Sequence, residues 1–376
     1  MRRLTWAQVR ARRLERHSLV PRASPDGLVD VVRRTCGIHA QVMASAELSL
    51  AARIDGLTRA DVQDALWRER SLVKAWTVRG TLHLHPADEL PLWHAARRAT
   101  GDQEQLLKPW RDPNGVEHPA LAPDDVRAVR EAVHDALADR CLLREELVDE
   151  VVRRVGPTPR ERLRSGFAFF LGDVCQGPPR GQKVTFVRPD HWIDDWRDVD
   201  ADEALRTVCR RFVATYGPTR PRDFREWFGG GLTPANARAL FESLDSGLDE
   251  VDVEGHAAFV LAGDVTFPQP LPSLRLLPEY DVYVMGFRER DQLVPDSVRE
   301  QVARDGRGRY EGPAGVRFVT IDGVAAGLWH RKKRGKKIEL SVRPVAKPTR
   351  SQRAELERET RRIGTFLGLE PALTLA

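Results

Sequence analysis

The sequence changes texture once, near Pro270, and that change limits the fold more than any other feature. Before it, runs with helical spacing are interrupted by short period-two ribbons; after it, short apolar strands follow one another. Helices first and strands later is the pattern of an α+β chain, not of βα units alternating around a parallel sheet.

The helical part has a recurring order. Residues 4–17 read as an amphipathic helix with Val9 and Leu14 facing inward, and residues 20–43 as a second carrying Val29, Val32, Ile38 and Val42. Thr58 caps a third, running to about Glu69. Residues 73–85 then alternate around Gly80 as a two-stranded ribbon, and Pro86 opens a helix to about Arg98. Three helices and a ribbon are the order of a winged helix. The order returns in residues 124–137, 143–155 and 159–174, with a wing after Gly177. It returns again in 202–216, 222–228 and 233–244, with a hairpin turning at Gly255. No sequence self-similarity accompanies it; the argument is one of element order.

Strands are expected at 274–278, 282–285, 316–321, 324–330 and 337–342, with turns at Asp322-Gly and Arg334-Gly and a closing helix at 351–367. They make a small barrel-like β domain. The division is residues 1–115, 116–198 and 199–268 for the three winged-helix units and 269–376 for the β-barrel. A chain of 376 residues has room for several such units. The spacings of Cys36, Cys141, Cys175 and Cys209 fit neither a disulfide framework nor a zinc or iron–sulfur site. No histidine pair has HExxH spacing and no Gly-rich phosphate loop is present, so no metal and no cofactor are expected. There is no apolar run near 18 residues, and the N-terminus lacks the apolar stretch of a signal peptide. A cytoplasmic monomer with no membrane contact is expected.

The net charge of +5 is too small to argue from until it is resolved along the chain. Residues 327–350 hold nine basic groups against one carboxylate, Glu339, so that stretch carries +8 and the remainder −3. Of eight lysines in the chain, four lie between Lys332 and Lys337. A basic hairpin tip on an acidic body points to a polyanion.

Five stretches, taken in order, resemble the winged-helix DNA glycosylases of the AlkZ/YcaQ type, bacterial enzymes that excise alkylated purines. They are Ile38-His-Ala-Gln41-Val, Trp76-Thr-Val-Arg-Gly-Thr-Leu-His83, Arg222-Asp-Phe-Arg-Glu-Trp227, Leu276-Leu-Pro-Glu-Tyr-Asp281 and Gly327-Leu-Trp-His-Arg331. The resemblance implies three tandem winged-helix units and a C-terminal β-barrel in a C shape with a concave DNA-binding surface. It implies double-stranded DNA carrying alkylated purines as the partner. The family's catalytic signature is Gln, an aliphatic residue, then Gln or Asp. Here it reads His39-Ala40-Gln41, with histidine in place of the first glutamine. In this the chain resembles the branch found with producers of DNA-alkylating antibiotics, where the enzyme confers self-resistance.

The chemistry asks little of the leaving group. An N7- or N3-alkylated purine is already cationic and departs neutral, so the enzyme must place a water under C1′ and stabilise an oxocarbenium-like transition state. Gln41 can orient that water but not deprotonate it. A histidine at 39 can do both, its ordinary pKa being about 6.5, and general-base help is worth roughly 10²–10⁴-fold. Thr77, Arg79, Thr81 and His83 alternate on one ribbon face, beside the water or along the DNA backbone. Glu47 and Asp281 are the carboxylates that could face the sugar cation. Trp329, His330, Arg331, Lys332, Lys333, Arg334, Lys336 and Lys337 form the DNA-binding hairpin, with Arg222 and Arg225 as further phosphate contacts. Two rival readings are a non-catalytic winged-helix DNA-binding regulator, favoured by the His-for-Gln change, and a protein that sequesters the drug. A bulky adduct fits poorly in a flipping pocket, so no deep aromatic slot is expected around His39 and Gln41.

Overall fold

The structure is a computed structural model that describes residues 2–101, 107–112, 114–165, 172–287, 290–304 and 315–376. By contact the chain forms two compact units, neither continuous in sequence. One comprises Met1–Val62, Cys209–Trp227 and Ala237–Ala376; the other comprises Gln63–Val208 and Phe228–Asn236.

In the second unit the ribbon consists of strands Leu72–Trp76 and Leu82–Pro86, paired antiparallel with Ala75 opposite His83. Further along, helix Pro123–Ala136 begins with proline at its first turn and Asp124 and Asp125 beside it, both suited to the positive end of a helix. Strand Leu142–Leu143, helices Arg144–Val155 and Arg160–Ser165, and hairpin Cys175–Arg180/Lys183–Val187 follow. The short strand pairs with the hairpin's second strand, Leu142 opposite Phe186. Val129, Val133, Leu147, Val151, Leu163 and Phe186 close one core, into which Trp76 and Leu82 of the ribbon also pack. The helix expected over 159–174 is described only as Arg160–Ser165, since 166–171 lie outside the described residues.

The first unit is organised on two sheets. Strand Arg2–Leu4 pairs parallel with Leu248–Val253, which pairs antiparallel with His256–Leu261. Helix Trp6–Arg16 starts two residues later than expected, held by a Thr5–Gln8 capping box, and Val9 and Leu14 are buried as read. The C-terminal sheet has five strands in the order Leu274–Leu277, Phe318–Ile321, Val324–Arg334, Lys337–Pro344, Glu370–Leu375. The last pair is parallel and the others antiparallel. The order is linear, so this is an open half-barrel and not a closed one. Helix Arg350–Leu367 packs against both edge strands and ends at Gly368, whose φ of 64° is the left-handed C-cap conformation.

Two expected elements are corrected. Residues 20–43 do not form one helix: Leu28–Arg34 ends where Cys36 and Gly37 take φ of 58° and 91°, and strand Ile38–His39 follows. The expected strand at 282 is instead helix Val282–Met285, started by Asp281, whose carboxylate accepts from the Tyr283 N–H. Strand Glu370–Leu375 and helix Asp296–Arg304 were not anticipated.

Candidate active site

Helix Met43–Arg53 is the frame of the site. Its sequence is rich in alanine and serine, and every residue from Ser45 to Arg53 is buried; a helix of such small side chains can be enclosed on all sides. Strand Ile38–His39 leads into its N-terminus, so His39, Ala40 and Gln41 occupy the strand end and the bend before the first turn. His39 is 5% exposed, while Gln41 is open to solvent.

Residues 279–281 are each held by a different partner, and the last of them meets this helix. Glu279 accepts two hydrogen bonds from Arg317, from Nε at 2.6 Å and Nη2 at 2.9 Å. Tyr280 lays its ring on the His39 imidazole, centroids 5.3 Å apart and planes tilted by 33°. Asp281 accepts from Arg53 at 2.7 and 2.8 Å and from the Ser49 hydroxyl at 2.7 Å. Between these ion pairs Tyr280 has a φ of 62°. That left-handed conformation costs a side chain with a Cβ about 1–2 kcal/mol, and it persists where the surroundings over-determine it.

The hairpin's Arg331 reaches the same group of charges. Burial draws its guanidinium below the usual range; Glu279 opposes this, Arg317 and Arg59 add to it, and Glu47 opposes it again. Glu47 is itself buried and accepts from Arg59 Nε at 2.9 Å. Burial acts to raise the Glu279 carboxyl, but the Arg317 hydrogen bonds and charge outweigh it and leave Glu279 below its ordinary value. Asp281 behaves the same way: burial raises it, and Arg53, Ser49 and the Tyr283 N–H bring it down on balance. His39 and Tyr280 on one side and Arg331, Glu279 and Glu47 on the other therefore belong to one cluster in the first unit.

Several expected contacts are corrected. Asp281 has no exposed side-chain surface, so it cannot face a sugar; its work is to hold Arg53. Trp329 is fully buried and donates its indole N–H to the Leu277 carbonyl at 2.8 Å, so it is core and not a DNA contact. Thr77, Arg79 and Thr81 do not alternate on a strand face. They lie in the turn between the ribbon strands, where Val78–Gly80 is a 3-10 segment and Arg79 has a φ of 55°. Thr77 is buried with its hydroxyl 2.8 Å from His85 Nε2, Thr81 bonds the Val78 carbonyl, and His83 is buried with Nδ1 3.0 Å from the Thr81 carbonyl. All four belong to the second unit.

The basic hairpin is longer than the sequence suggested. Arg331 to Arg334 pair with Leu340 to Lys337, and Gly335 turns the tip with a φ of 59°. His330 Nε2 lies 2.9 Å from Arg343 Nη2. Beyond it Lys332, Lys333, Arg334, Lys336 and Lys337 are all exposed. Among the described residues Arg334 and Lys337 have carboxylate neighbours, Glu339 and Glu370, each at 3.6 Å, and Lys332, Lys333 and Lys336 have none. Arg222 and Arg225 lie on helix Pro221–Phe228 near Glu226, at 3.4 and 3.6 Å.

Glu279, Tyr280, Arg317 and Arg59 are the cluster members that reasoning from sequence passed over. Within Leu276–Asp281 the expected carboxylate, Asp281, is turned inward, and Glu279 reaches Arg317 instead. A cavity of about 480 Å³ also opens in this unit, lined by Leu48, Ala52, Trp329, Glu359 and Phe366 among others; neither His39 nor Gln41 lines it.

Comparison with known proteins places these features in context. Residues 32–366 match the family described as DNA glycosylase AlkZ-like. The chain is 32% identical to an interstrand DNA cross-link repair glycosylase of Streptomyces sahachiroi, the alignment covering 97% of each protein. It also superposes on the solved structure of the Streptomyces sahachiroi DNA glycosylase AlkZ, with a TM-score of 0.82, 30% identity and full coverage of both chains.

Proposed function

The chain belongs to the AlkZ-like DNA glycosylase family, and from that premise we propose that it excises bulky N7-guanine or N3-adenine adducts from duplex DNA by water attack at C1′. Being a DNA glycosylase, it acts on DNA and hydrolyses an N-glycosidic bond. The finer reading includes adducts that bridge the two strands, since the relative is a cross-link repair glycosylase, and self-resistance to a DNA-alkylating natural product. The observation that supports it is that two motifs bear on consecutive residues: the Tyr280 ring lies beside His39 of the His-Ala-Gln motif, and the charge of Glu279 acts on Arg331 of the Trp-His-Arg motif.

In this reading the C1′–N9 bond of an N7-alkylguanine breaks as a water oxygen bonds to C1′. The electron pair neutralises the cationic base, and the water proton passes to His39, with Gln41 at the surface orienting the water. Products are the neutral alkylated base and an abasic sugar. Glu47, beside Arg59, lends negative potential toward the sugar. His330 and Arg331 sit at the base of the hairpin and probe the groove. Lys332, Lys333, Arg334, Lys336 and Lys337 neutralise phosphates, with Arg222 and Arg225 adding to them. Thr77, Arg79, Thr81 and His83 hold the ribbon turn. The helix–helix–helix–hairpin segments are winged-helix units, divided at 1–115, 116–198 and 199–268, with the half-barrel at 269–376. The protein works as a monomer and leaves the lesion largely stacked.

The test is a duplex alkylated at guanine N7, incubated with protein and treated with alkali. Strand breaks that Gln41→Ala removes support the reading. Tight binding without breaks turns it into a regulator, and stoichiometric capture of free drug into a sequestering protein.

A further inference from the structure

Tyr280 takes a left-handed backbone conformation between a strand and a helix. The chain could pass from the strand Leu274–Leu277 to the helix Val282–Met285 through a residue in an ordinary conformation, yet a large aromatic side chain is held at a φ of 62°. Both flanking residues are fixed by ion pairs, Glu279 to Arg317 and Asp281 to Arg53. With both neighbours held, the Tyr280 ring lies beside the His39 imidazole, centroids 5.3 Å apart and planes tilted by 33°. A strained backbone at a site, enforced from both sides, signals a geometry that is needed locally.

We propose that Tyr280 is a positioning residue for His39: its ring fixes the plane of the imidazole so that the ring nitrogen meets the water under C1′. The proposal rests on the reading of His39 as the base in excision. A reacting group displaced by about 1 Å can lose on the order of 10²-fold in rate, and a buried imidazole with no wall on one face is free to rotate by more than that. The ring acts as a wall, so the aromatic surface matters and the phenol hydroxyl does not. The Arg53–Asp281 and Arg317–Glu279 ion pairs are the clamps that keep the wall in place.

The experiment measures single-turnover release of N7-methylguanine from a methylated duplex across pH 5–9. It compares wild type, Tyr280→Gly, Tyr280→Phe and His39→Ala, with Tyr280→Gly also made in the His39→Ala background. Glycine accepts the left-handed backbone without strain, so Tyr280→Gly removes the ring without straining the turn, and its melting temperature reports that the fold is kept. It is expected to slow release by about tenfold or more, to shift the acid limb of the pH profile, and to leave DNA affinity within twofold. Tyr280→Phe restores most of the lost rate. In the His39→Ala background Tyr280→Gly causes no further loss, because the two residues act as one unit. Equal rates and pH profiles for wild type and Tyr280→Gly would overturn the proposal alone, as would an equal further loss without His39. A wild type that releases no base would overturn the His39 chemistry and this role with it.

Discussion

Arg53 and Asp281 meet with neither side chain exposed to solvent, Nη1 and Nη2 of the one donating to Oδ2 and Oδ1 of the other at 2.7 and 2.8 Å. The pair ties the buried helix that follows the His-Ala-Gln motif to the segment carrying Glu279 and Tyr280. Removing one partner leaves an uncompensated buried charge, which costs about 3–5 kcal/mol. Asp281→Ala should therefore lose that much stability in urea denaturation. A double replacement of Arg53 and Asp281 by Met and Leu should lose distinctly less. Equal losses would mean that the pair's charge is not what holds the two segments.

Acid should weaken the fold well above the range in which carboxylates titrate. His94 is fully buried, and burial first, then Arg98, pulls its pKa down to about 3. Neither of its ring nitrogens has a hydrogen-bond partner among the described residues. His17, walled by Tyr216 and Tyr283, is also pushed well below its usual value by burial and by Arg53. The unfolded histidines take up protons near pH 6.5 and the folded ones only far lower. Their stability is thus whole above about pH 6.5 and is lost as pH falls toward 3. Each contributes a slope of about 1.4 kcal/mol per pH unit. Denaturation at pH 7, 6 and 5 should show the decline, and His94→Leu should reduce its slope by one proton.

The hairpin tip should govern the salt dependence of DNA binding. Lys332 and Lys333 are exposed near the tip end of an eleven-residue strand. Each phosphate contact contributes about 0.9 to the slope of log affinity against log salt. The pair Lys332→Glu and Lys333→Glu should weaken binding at low salt and flatten that slope by about two units. An unchanged slope would remove the hairpin from the interface.

Trp329 should behave differently from its hairpin neighbours. It is fully buried with its indole N–H satisfied, so Trp329→Ala should cost about 3–5 kcal/mol of stability. The salt slope of the folded fraction should stay as in the wild type. A loss of affinity with no loss of stability would return Trp329 to the DNA surface.

What could be read from sequence was whatever local chemistry decides. Thr58 bonds Asp61 as a helix start should, and the helix expected over 124–137 forms as Pro123–Ala136. The element order and the hairpin turns at Gly255 and Gly335 follow from period and glycine alone. The errors fall where distant contacts override a local pattern. Cys36 takes a left-handed φ that no sequence rule assigns to cysteine, so an apolar run that kept helical spacing was cut in two. Val-Tyr-Val-Met is too short for period to distinguish strand from helix, and the buried Asp281 decided it. The half-barrel was read as closed because strand number says nothing about whether edges meet. At the site the motifs were legible, but which side chain of Glu279-Tyr280-Asp281 faces which partner depends on Arg317, His39 and Arg53, all remote in sequence.

On the proposed mechanism His39 and Gln41 direct a water to C1′ of an alkylated purine nucleotide. This is tested most directly by mass-spectrometric detection of free alkylated base released from a duplex under single-turnover conditions, for wild type, His39→Ala and Gln41→Ala. The wild type should release the base, and each variant should do so at a rate lower by about 10²-fold or more, with duplex affinity retained. Base release no faster than in the protein-free duplex, or equal release by all three proteins, would contradict it.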